Sequence, residues 1–427
     1  MNIDISKAHP LRGEVTVPGD KSISHRAVMI GGLSSGTTRI HGFLKAADPL
    51  STIACYRAMG IAIDVAESGI NVHGKGKRGL NTSVKPLDAG NSGTTMRLLS
   101  GILCGQKFSS VITGDRFLLK RPMNRIIDPL KKMGADISAT DNGTAPLSIR
   151  PSTNLHSIDY ELPIASAQVK SAVLFAGLYA QGITRVIEFS PSRDHTERML
   201  GLTVVMEGTK KIVSINGEMD LSAQEFSVPG DPSSAAYFIV AAVLVPGSEL
   251  LIKNVGLNPT RTGYLDVLRH MGANITLLNQ KTIGGEPIGD ILVKHSLLKS
   301  DVTLEGNIIP NIIDEIPILA VAGAHSIGRF EVKDAKDLRT KETDRISALC
   351  SNLKKMGIWI DEFEDGFAFE SKNELLPNEF ESFHDHRIAM AFGIAALATD
   401  GTCAIHDAEC VDISYPRFWE TVQSLQQ

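Results

Sequence analysis

VPGDKSISHRA (residues 17–27) and VPGDPSSAAYF (residues 228–238) open with the same four residues, half a chain apart. Only the first continues into Lys21, His25 and Arg26; the second runs on in small and apolar residues. A repeated turn points to a repeated scaffold, and the unequal sequels point to chemistry carried by one copy. Proline sets φ and glycine permits an unusual φ, so Pro-Gly predicts a fixed bend or hinge where the chain passes between two halves of the molecule.

Aligning the apolar helices extends the repetition. Six segments fall into line: KSISHRAVMIGGLSSGTTRIHG, NSGTTMRLLSGILCGQKFSSVITG, SAQVKSAVLFAGLYAQGITRVIE, PSSAAYFIVAAVLVPGSELLIKNV, NIIDEIPILAVAGAHSIGRFEVKDA and HDHRIAMAFGIAALATDGTCAIHDA. Each has a polar start, one apolar helix, a glycine where the helix stops and a β-branched strand. The marker glycines (Gly36, Gly105, Gly182, Gly247, Gly328 and Gly401) recur at near-even steps. A second, amphipathic helix ends in a Met-Gly step before a strand in YRAMGIAI, LKKMGADI, LRHMGANI and LKKMGIWI, and more loosely in TERMLGLTVV. Each unit therefore reads β-α-β-α-β-β. Six units and two turns predict an α/β protein of two lobes with three repeats each, one spanning residues 20–229 and the other 1–19 with 230–427.

Composition narrows the function classes. The 427 residues, 43% hydrophobic and 21% charged, can bury a large core in two or three domains at about 150 residues per domain. A net charge of −5 and 5% aromatic residues argue against a clamp on nucleic acid, which needs a basic field and stacking surfaces. The five cysteines are an odd set without C-x-x-C spacing, so they read as reduced core thiols of a cytoplasmic protein, with no disulfide framework or zinc site. The start, MNIDISKAHPLRG, has neither signal-peptide nor transit-peptide character. The most apolar run, AAYFIVAAVLV, is stopped by Pro246-Gly247 short of the roughly 20 residues a membrane span needs. No exposed apolar face is evident in the repeats, so a monomer is expected.

The polar residues gather where each apolar helix begins, and helix N-termini favour anions. With symmetric lobes, several such starts would converge on one cleft. They hold Lys21, Ser22 and Arg26; Asn91, Ser92 and Gly93; Ser166 and Gln168; Asp314; and His386 and Arg387. In KSISHR, the first helical turn would present Lys21 and Arg26 together, with Ser22 free to cap or to bind a ligand oxygen. GDRFLLKRPMNR (residues 114–125) adds Arg116, Lys120, Arg121 and Arg125, as a solvated basic loop or as ligand contacts. KETDRI (residues 341–346) puts Lys341 and Arg345 at i, i+4 on one helical face beside Glu342 and Asp344, the usual pattern of a salt-bridged surface helix. Asp314 and Glu315 precede an apolar helix, where an acidic N-cap is the ordinary reading. A carboxylate among cations is also a natural proton acceptor, with cations lowering and burial raising its basicity. HDHR (residues 384–387) has two histidines at i, i+2 that share no helical face, which argues against a metal site. GKGKRG (residues 74–79) reads as a hairpin turn rather than a nucleotide loop, and in PGDKS Asp20 spoils the spacing of a phosphate-binding loop. What emerges is a site for two small anionic substrates, rich in Lys and Arg, with one or two carboxylates and no cofactor motif.

The blocks PGDKSISHR, GNSGTTMR, GDRFLLKRPM, ASAQVKSA, DEIPILA, KETDRI and DHRIAMA, in this order, resemble the 5-enolpyruvylshikimate-3-phosphate synthase family over almost the whole chain, and PGDKSISHR with SAQVKSA is similar to its bacterial class II branch. The resemblance implies the two-lobed enolpyruvyl transferase fold of six β-α-β-α-β-β repeats. It implies transfer of the enolpyruvyl group of phosphoenolpyruvate to the 5-hydroxyl of shikimate 3-phosphate, in the shikimate route to aromatic amino acids, without metal or cofactor. By the same resemblance, Lys21, Ser22, Arg26, Ser166, Ala167, Gln168, Arg193, Asp314 and Lys341 hold shikimate 3-phosphate. Lys21, Asn91, Gly93, Arg121, Gln168, Arg345 and Arg387 hold phosphoenolpyruvate. Asp314 takes the 5-hydroxyl proton, and Glu342 and Lys21 serve proton transfer at the methylene carbon.

Two departures from the plant-type pattern stand out. Leu98 follows Gly93-Thr94-Thr95-Met96-Arg97 where proline is the pattern, beside the position where glyphosate, a mimic of phosphoenolpyruvate, is expected to compete. Ile413 in VDISYP replaces a lysine and its phosphoenolpyruvate contact. The rival reading is the sister transferase acting on UDP-N-acetylglucosamine. That family carries a cysteine in the loop corresponding to GDRFLLKRP, which has none here.

Overall fold

The computed structural model describes residues 1–371 and 374–426, in two compact units. One unit comprises Gly19–Val228 with Ile283–Glu286, and the other Met1–Pro18, Pro229–Thr282 and Pro287–Gln427. The chain changes unit inside each VPGD turn, between proline 18 and glycine 19 and between valine 228 and proline 229, one residue before the expected boundaries. Each unit has its own hydrophobic core.

Repeat 2 displays the basic unit. Strand Leu87–Asp88 leads into helix Gly93–Leu103, strand Ser110–Thr113, helix Asn124–Lys132, and strands Asp136–Ser138 and Leu147–Arg150. In the sheet the strands run first, second, fourth, third. The first two are parallel (Leu87 opposite Ile112) and the remaining pairings antiparallel. Repeats 3 and 5 follow the same order. The lead helix of each repeat is almost wholly buried, which explains its Ala- and Gly-rich sequence: a Cβ on Gly101 would lie 2.1 Å from the carbonyl oxygen of Ala172 in the neighbouring lead helix. Five of the six marker glycines have positive φ. Gly105 does not, and is a glycine because a Cβ there would meet the Tyr179 ring at 2.1 Å.

Repeats 1 and 4 borrow their first strands. Arg12–Thr16, which runs into the first VPGD, pairs in parallel with Glu249–Gly256 of repeat 4. Glu225–Ser227, which runs into the second, pairs in parallel with Ser35–His41 of repeat 1. Each turn thus separates a strand of one unit from the lead helix of the other. The sixth repeat departs from the expected β-α-β-α-β-β pattern: among the described residues no strand follows its second helix, Phe418–Ser424, and Ile3–Ser6 pairs antiparallel with Thr402–His406 to make a three-stranded sheet. GKGKRG also differs from expectation. It is the end of strand Gly69–Lys75 and a turn, not a hairpin, and Lys77 there donates to the carbonyls of Leu178 and Gly217.

The glycines of the two turns are needed for closeness, not for an unusual φ, since neither Gly19 nor Gly230 has φ in the positive region. A Cβ on Gly19 would stand 1.9 Å from the Gly42 carbonyl oxygen, whereas on Gly230 the nearest atom, 2.8 Å away, is a methyl of Val17. Backbone cannot yield as a side chain can. Gly19→Ala is therefore expected to lower stability by about 1–3 kcal/mol and Gly230→Ala by less, read as a larger fall in thermal midpoint for the first. Equal falls would contradict this account.

All five cysteines are buried and unpaired, and burial pushes the thiols of Cys55, Cys104, Cys350 and Cys410 up to about 12. Among the described residues no single helix is long and apolar enough to cross a membrane.

Candidate active site

The unit of repeats 1–3 presents three lead-helix starts. Asp20, not Ser22, caps helix Lys21–Leu33, accepting from the Ile23 amide at 2.8 Å. Lys21 and Arg26 are not presented together. Five residues turn a helix through about 140°, and Lys21 pairs with Asp48 at 3.2 Å while Arg26 donates to Thr196 (2.7 Å), Ser171 (2.8 Å) and the Ser22 carbonyl (3.0 Å). His25, between them, is fully buried against Thr52, and burial followed by Lys21 and Arg26 holds it well below the usual histidine range.

Ser92 caps helix Gly93–Leu103, and Ser166 caps Ala167–Gly177. Asn91 is locked between Arg121, which donates to its oxygen at 2.9 Å, and Asp115, which accepts from its amide nitrogen at 2.7 Å. Of the four cations in GDRFLLKRPMNR only Arg121 turns inward; Arg116, Lys120 and Arg125 are exposed. Gln168 accepts from Arg97 at 2.6 Å and donates to Thr94 at 3.1 Å. Gly93 lies between the two guanidiniums: a Cβ there would stand 2.8 Å from Arg97 and 3.3 Å from Arg121. Arg97, buried, was not among the expected site residues. Its signal was an arginine one turn after Gly93 in an otherwise apolar helix. Half-buried Arg193 lies close enough to Arg26 to act on its charge.

The unit of repeats 4–6 presents a denser cluster. Neither Asp314 nor Glu315 caps helix Ile316–Ala324 with its side chain. Asp314 instead faces two guanidiniums, with Arg345 at 3.4 Å and Arg387 at 3.5 Å, and its carbonyl accepts from Arg387 at 3.0 Å. Glu315 turns inward to the Ser233 hydroxyl, to which Arg261 also donates, and Arg261 pairs with Asp231. The second VPGD turn thus feeds a buried polar network as well as packing.

KETDRI is not one helical face. Helix Arg345–Lys355 begins at its fifth residue, capped by Asp344, and Lys341 stands in extended chain before it. Arg345 is 1% exposed rather than on the surface, and meets Asp385 at 2.8 Å, Glu342 at 2.5 Å and Asp314. Burial works against the charge of Arg345 and Arg387, but Asp385 and Glu342 around the first and Asp314 beside the second outweigh it and raise both guanidiniums further. Fully buried Asp385 was also missed from the sequence, although an Asp immediately before a helix start is a capping signal; it caps His386–Ala398 and holds Arg345. Lys341 makes no hydrogen bond or ion pair with the described residues, and burial, with Arg345 adding and Asp314 opposing, lowers its ammonium. Such a cation gains most from an arriving anion. In HDHR, His384 reaches Asp407 at 3.5 Å while His386 is buried at the helix start.

Each unit therefore carries buried, oriented cations at helix starts, and one carries a carboxylate held among them. Known proteins share this chain along its length. The model of the family EPSP synthase (3-phosphoshikimate 1-carboxyvinyltransferase) matches residues 5–422. The 3-phosphoshikimate 1-carboxyvinyltransferase of Salinibacter ruber is 51% identical, covering 97% of both chains, and that of Thermodesulfovibrio yellowstonii is 50% identical over the whole of both. A solved EPSP synthase from Acinetobacter baumannii superposes with a TM-score of 0.87 at 45% identity, covering 99% of this chain and 98% of that one. The enolpyruvyl transferase NikO from Streptomyces tendae, with a TM-score of 0.75 at 17% identity over 99% and 96% of the two chains, shares the fold. Likeness of this extent and identity has one reading: the chain belongs to the EPSP synthase (3-phosphoshikimate 1-carboxyvinyltransferase) family.

Proposed function

We propose that this protein transfers the enolpyruvyl group of phosphoenolpyruvate to the 5-hydroxyl of shikimate 3-phosphate and releases phosphate. The observation that carries this reading is Asp314, a half-buried carboxylate between Arg345 and Arg387. In the addition step the 5-hydroxyl oxygen bonds to C2 of phosphoenolpyruvate, Asp314 accepts the hydroxyl proton, and the methylene carbon gains a proton from Glu342 or Lys21. In the elimination step that carbon returns a proton, the C2–O bond to phosphate breaks and phosphate leaves. Both substrates carry a phosphate and a carboxylate. Lys21, Gly93 with Asn91, Arg121, Gln168, Arg345 and Arg387 hold phosphoenolpyruvate; Ser22, Arg26, Ser166, Ala167, Arg193 and Lys341 hold shikimate 3-phosphate. Fixed guanidiniums suit these groups because their donor forks match carboxylate and phosphate oxygens, and they stabilise charge without reorganising during the reaction.

The test is phosphate release with both substrates, with each alone, and with UDP-N-acetylglucosamine in place of shikimate 3-phosphate. Release that needs phosphoenolpyruvate and shikimate 3-phosphate together supports the reading; release only with the nucleotide sugar overturns it.

Gly93 supplies a sharper prediction. The Cβ of Gly93→Ala forces the Arg97 guanidinium aside and crowds Arg121. The folded protein is expected to survive, because side-chain ends can move, while KM for phosphoenolpyruvate rises about tenfold, the equivalent of 1.4 kcal/mol. Glyphosate should compete with phosphoenolpyruvate in the parent and lose potency in the variant. An unchanged KM would remove Gly93 from the phosphoenolpyruvate site.

A further inference from the structure

Arg26 is 3% exposed, yet among the described residues it hydrogen bonds to neutral acceptors only. The hydroxyls that hold it, on Thr196 and Ser171, have their own protons committed. Ser171 donates to the Ala167 carbonyl at 2.6 Å, so the 2.7 Å contact between Ser171 and Thr196 has Thr196 as donor. Ser171 then accepts from Arg26 Nη2 and Thr196 accepts from Arg26 Nε. Each hydroxyl has one proton, and each proton is committed. The guanidinium plane is fixed by two acceptors that do not neutralise it.

The residues next to these hydroxyls anchor them. Lys170, fully buried beside Ser171, is bound to Glu197 at 2.7 Å, Glu188 at 2.8 Å and the Ser192 carbonyl at 3.4 Å; Lys211 joins Glu197 at 3.1 Å. The two lysines offset the two glutamates. The cluster fastens helix His195–Leu200, which carries Thr196, to helix Ala167–Gly177, which carries Ser171, and fixes the carbonyl just before Arg193. Glu197, the carboxylate that acts most strongly on Arg26, is thus occupied by two lysines. Burial, with nearby Arg193 adding and Glu197 and Asp20 opposing, pulls the Arg26 guanidinium down to about 10. A buried cation held by neutral groups is a preorganised receptor for a carboxylate or phosphate, which supplies the counter-charge the protein withholds.

We propose that Thr196 and Ser171 are positioning residues for shikimate 3-phosphate, orienting Arg26 toward an anionic group of that substrate through the Thr196–Ser171 hydroxyl pair. This rests on the reading that Arg26 binds that substrate. The experiment measures initial rates of phosphate release at varied shikimate 3-phosphate, and separately at varied phosphoenolpyruvate, for Thr196→Val, Thr196→Ser, Ser171→Ala and Arg26→Lys in the full chain. Thr196→Val, which removes an acceptor at constant shape, is expected to raise KM for shikimate 3-phosphate about tenfold with kcat and the other KM within about twofold, the pattern of lost uniform binding. Thr196→Ser should restore the parent value, and Ser171→Ala should repeat the effect from the other hydroxyl, even where the valine variant fails to fold. A shikimate 3-phosphate KM that stays put in Thr196→Val and Ser171→Ala while Arg26→Lys raises it overturns the positioning role alone. A KM that also stays put in Arg26→Lys overturns the assignment of Arg26 and the inference with it. A fall in kcat with both KM values shifted alike would mark a merely structural role and overturn it too.

Discussion

Asp314→Asn is expected to lower phosphate release by about 10²–10⁴-fold, the usual contribution of a positioned proton acceptor. The substitution keeps the size and shape of the side chain, so the variant should fold, bind both substrates and lose the ability to accept the 5-hydroxyl proton. Folding is protected because Arg345 retains Asp385 and Glu342 when it loses Asp314. Steady-state phosphate release, with binding of shikimate 3-phosphate followed separately, checks both halves. A variant that keeps within tenfold of the parent rate would show that the proton leaves by another group, and would direct attention to Glu342.

Arg345→Met is expected to fail differently. Arg345 is shared by three carboxylates, of which Asp385 is fully buried and also caps the helix that positions Arg387. Removing the cation leaves buried negative charge without its partner, a loss of about 3–5 kcal/mol and a fall in thermal midpoint on the order of ten degrees. Activity should vanish with the phosphoenolpyruvate contact. Arg345→Lys separates the two effects: a lysine restores charge but not the forked geometry that meets several carboxylates at once, so stability should return in part and activity should not. A methionine variant as stable as the parent would mean that Asp385 and Glu342 find other partners.

Among the candidate site residues, several lie where local sequence is decisive for the helix start. Asn91, Gly93, Ser166, Gln168 and Arg387 sit at starts of buried helices that apolar periodicity and capping residues reveal. The misreadings have two sources, neighbours that local sequence cannot supply and local signals with a more ordinary reading. Asp314 and Glu315 looked like caps because the chain does not say that Arg345, Arg387 and Ser233 surround them. Lys341 and Arg345 looked like a surface face because i, i+4 spacing assumes one helix through both, whereas Asp344 caps a helix that starts only after Lys341. Arg97 and Asp385 were missed because an arginine in an apolar helix and an acid before one have ordinary local explanations.

By itself the sequence determined the six lead helices, their stops, the Met-Gly second helices and the doubling of the scaffold, because helix hydrogen bonds and caps join residues three or four apart. Tertiary structure alone decided that Arg12–Thr16 and Glu225–Ser227 exchange sheets, that Ile3–Ser6 completes the sixth repeat, and that Arg26 rests on Thr196 and Ser171. Strand partners and the acceptors of a buried guanidinium are chosen by packing between segments far apart in the chain, and no local pattern records that choice.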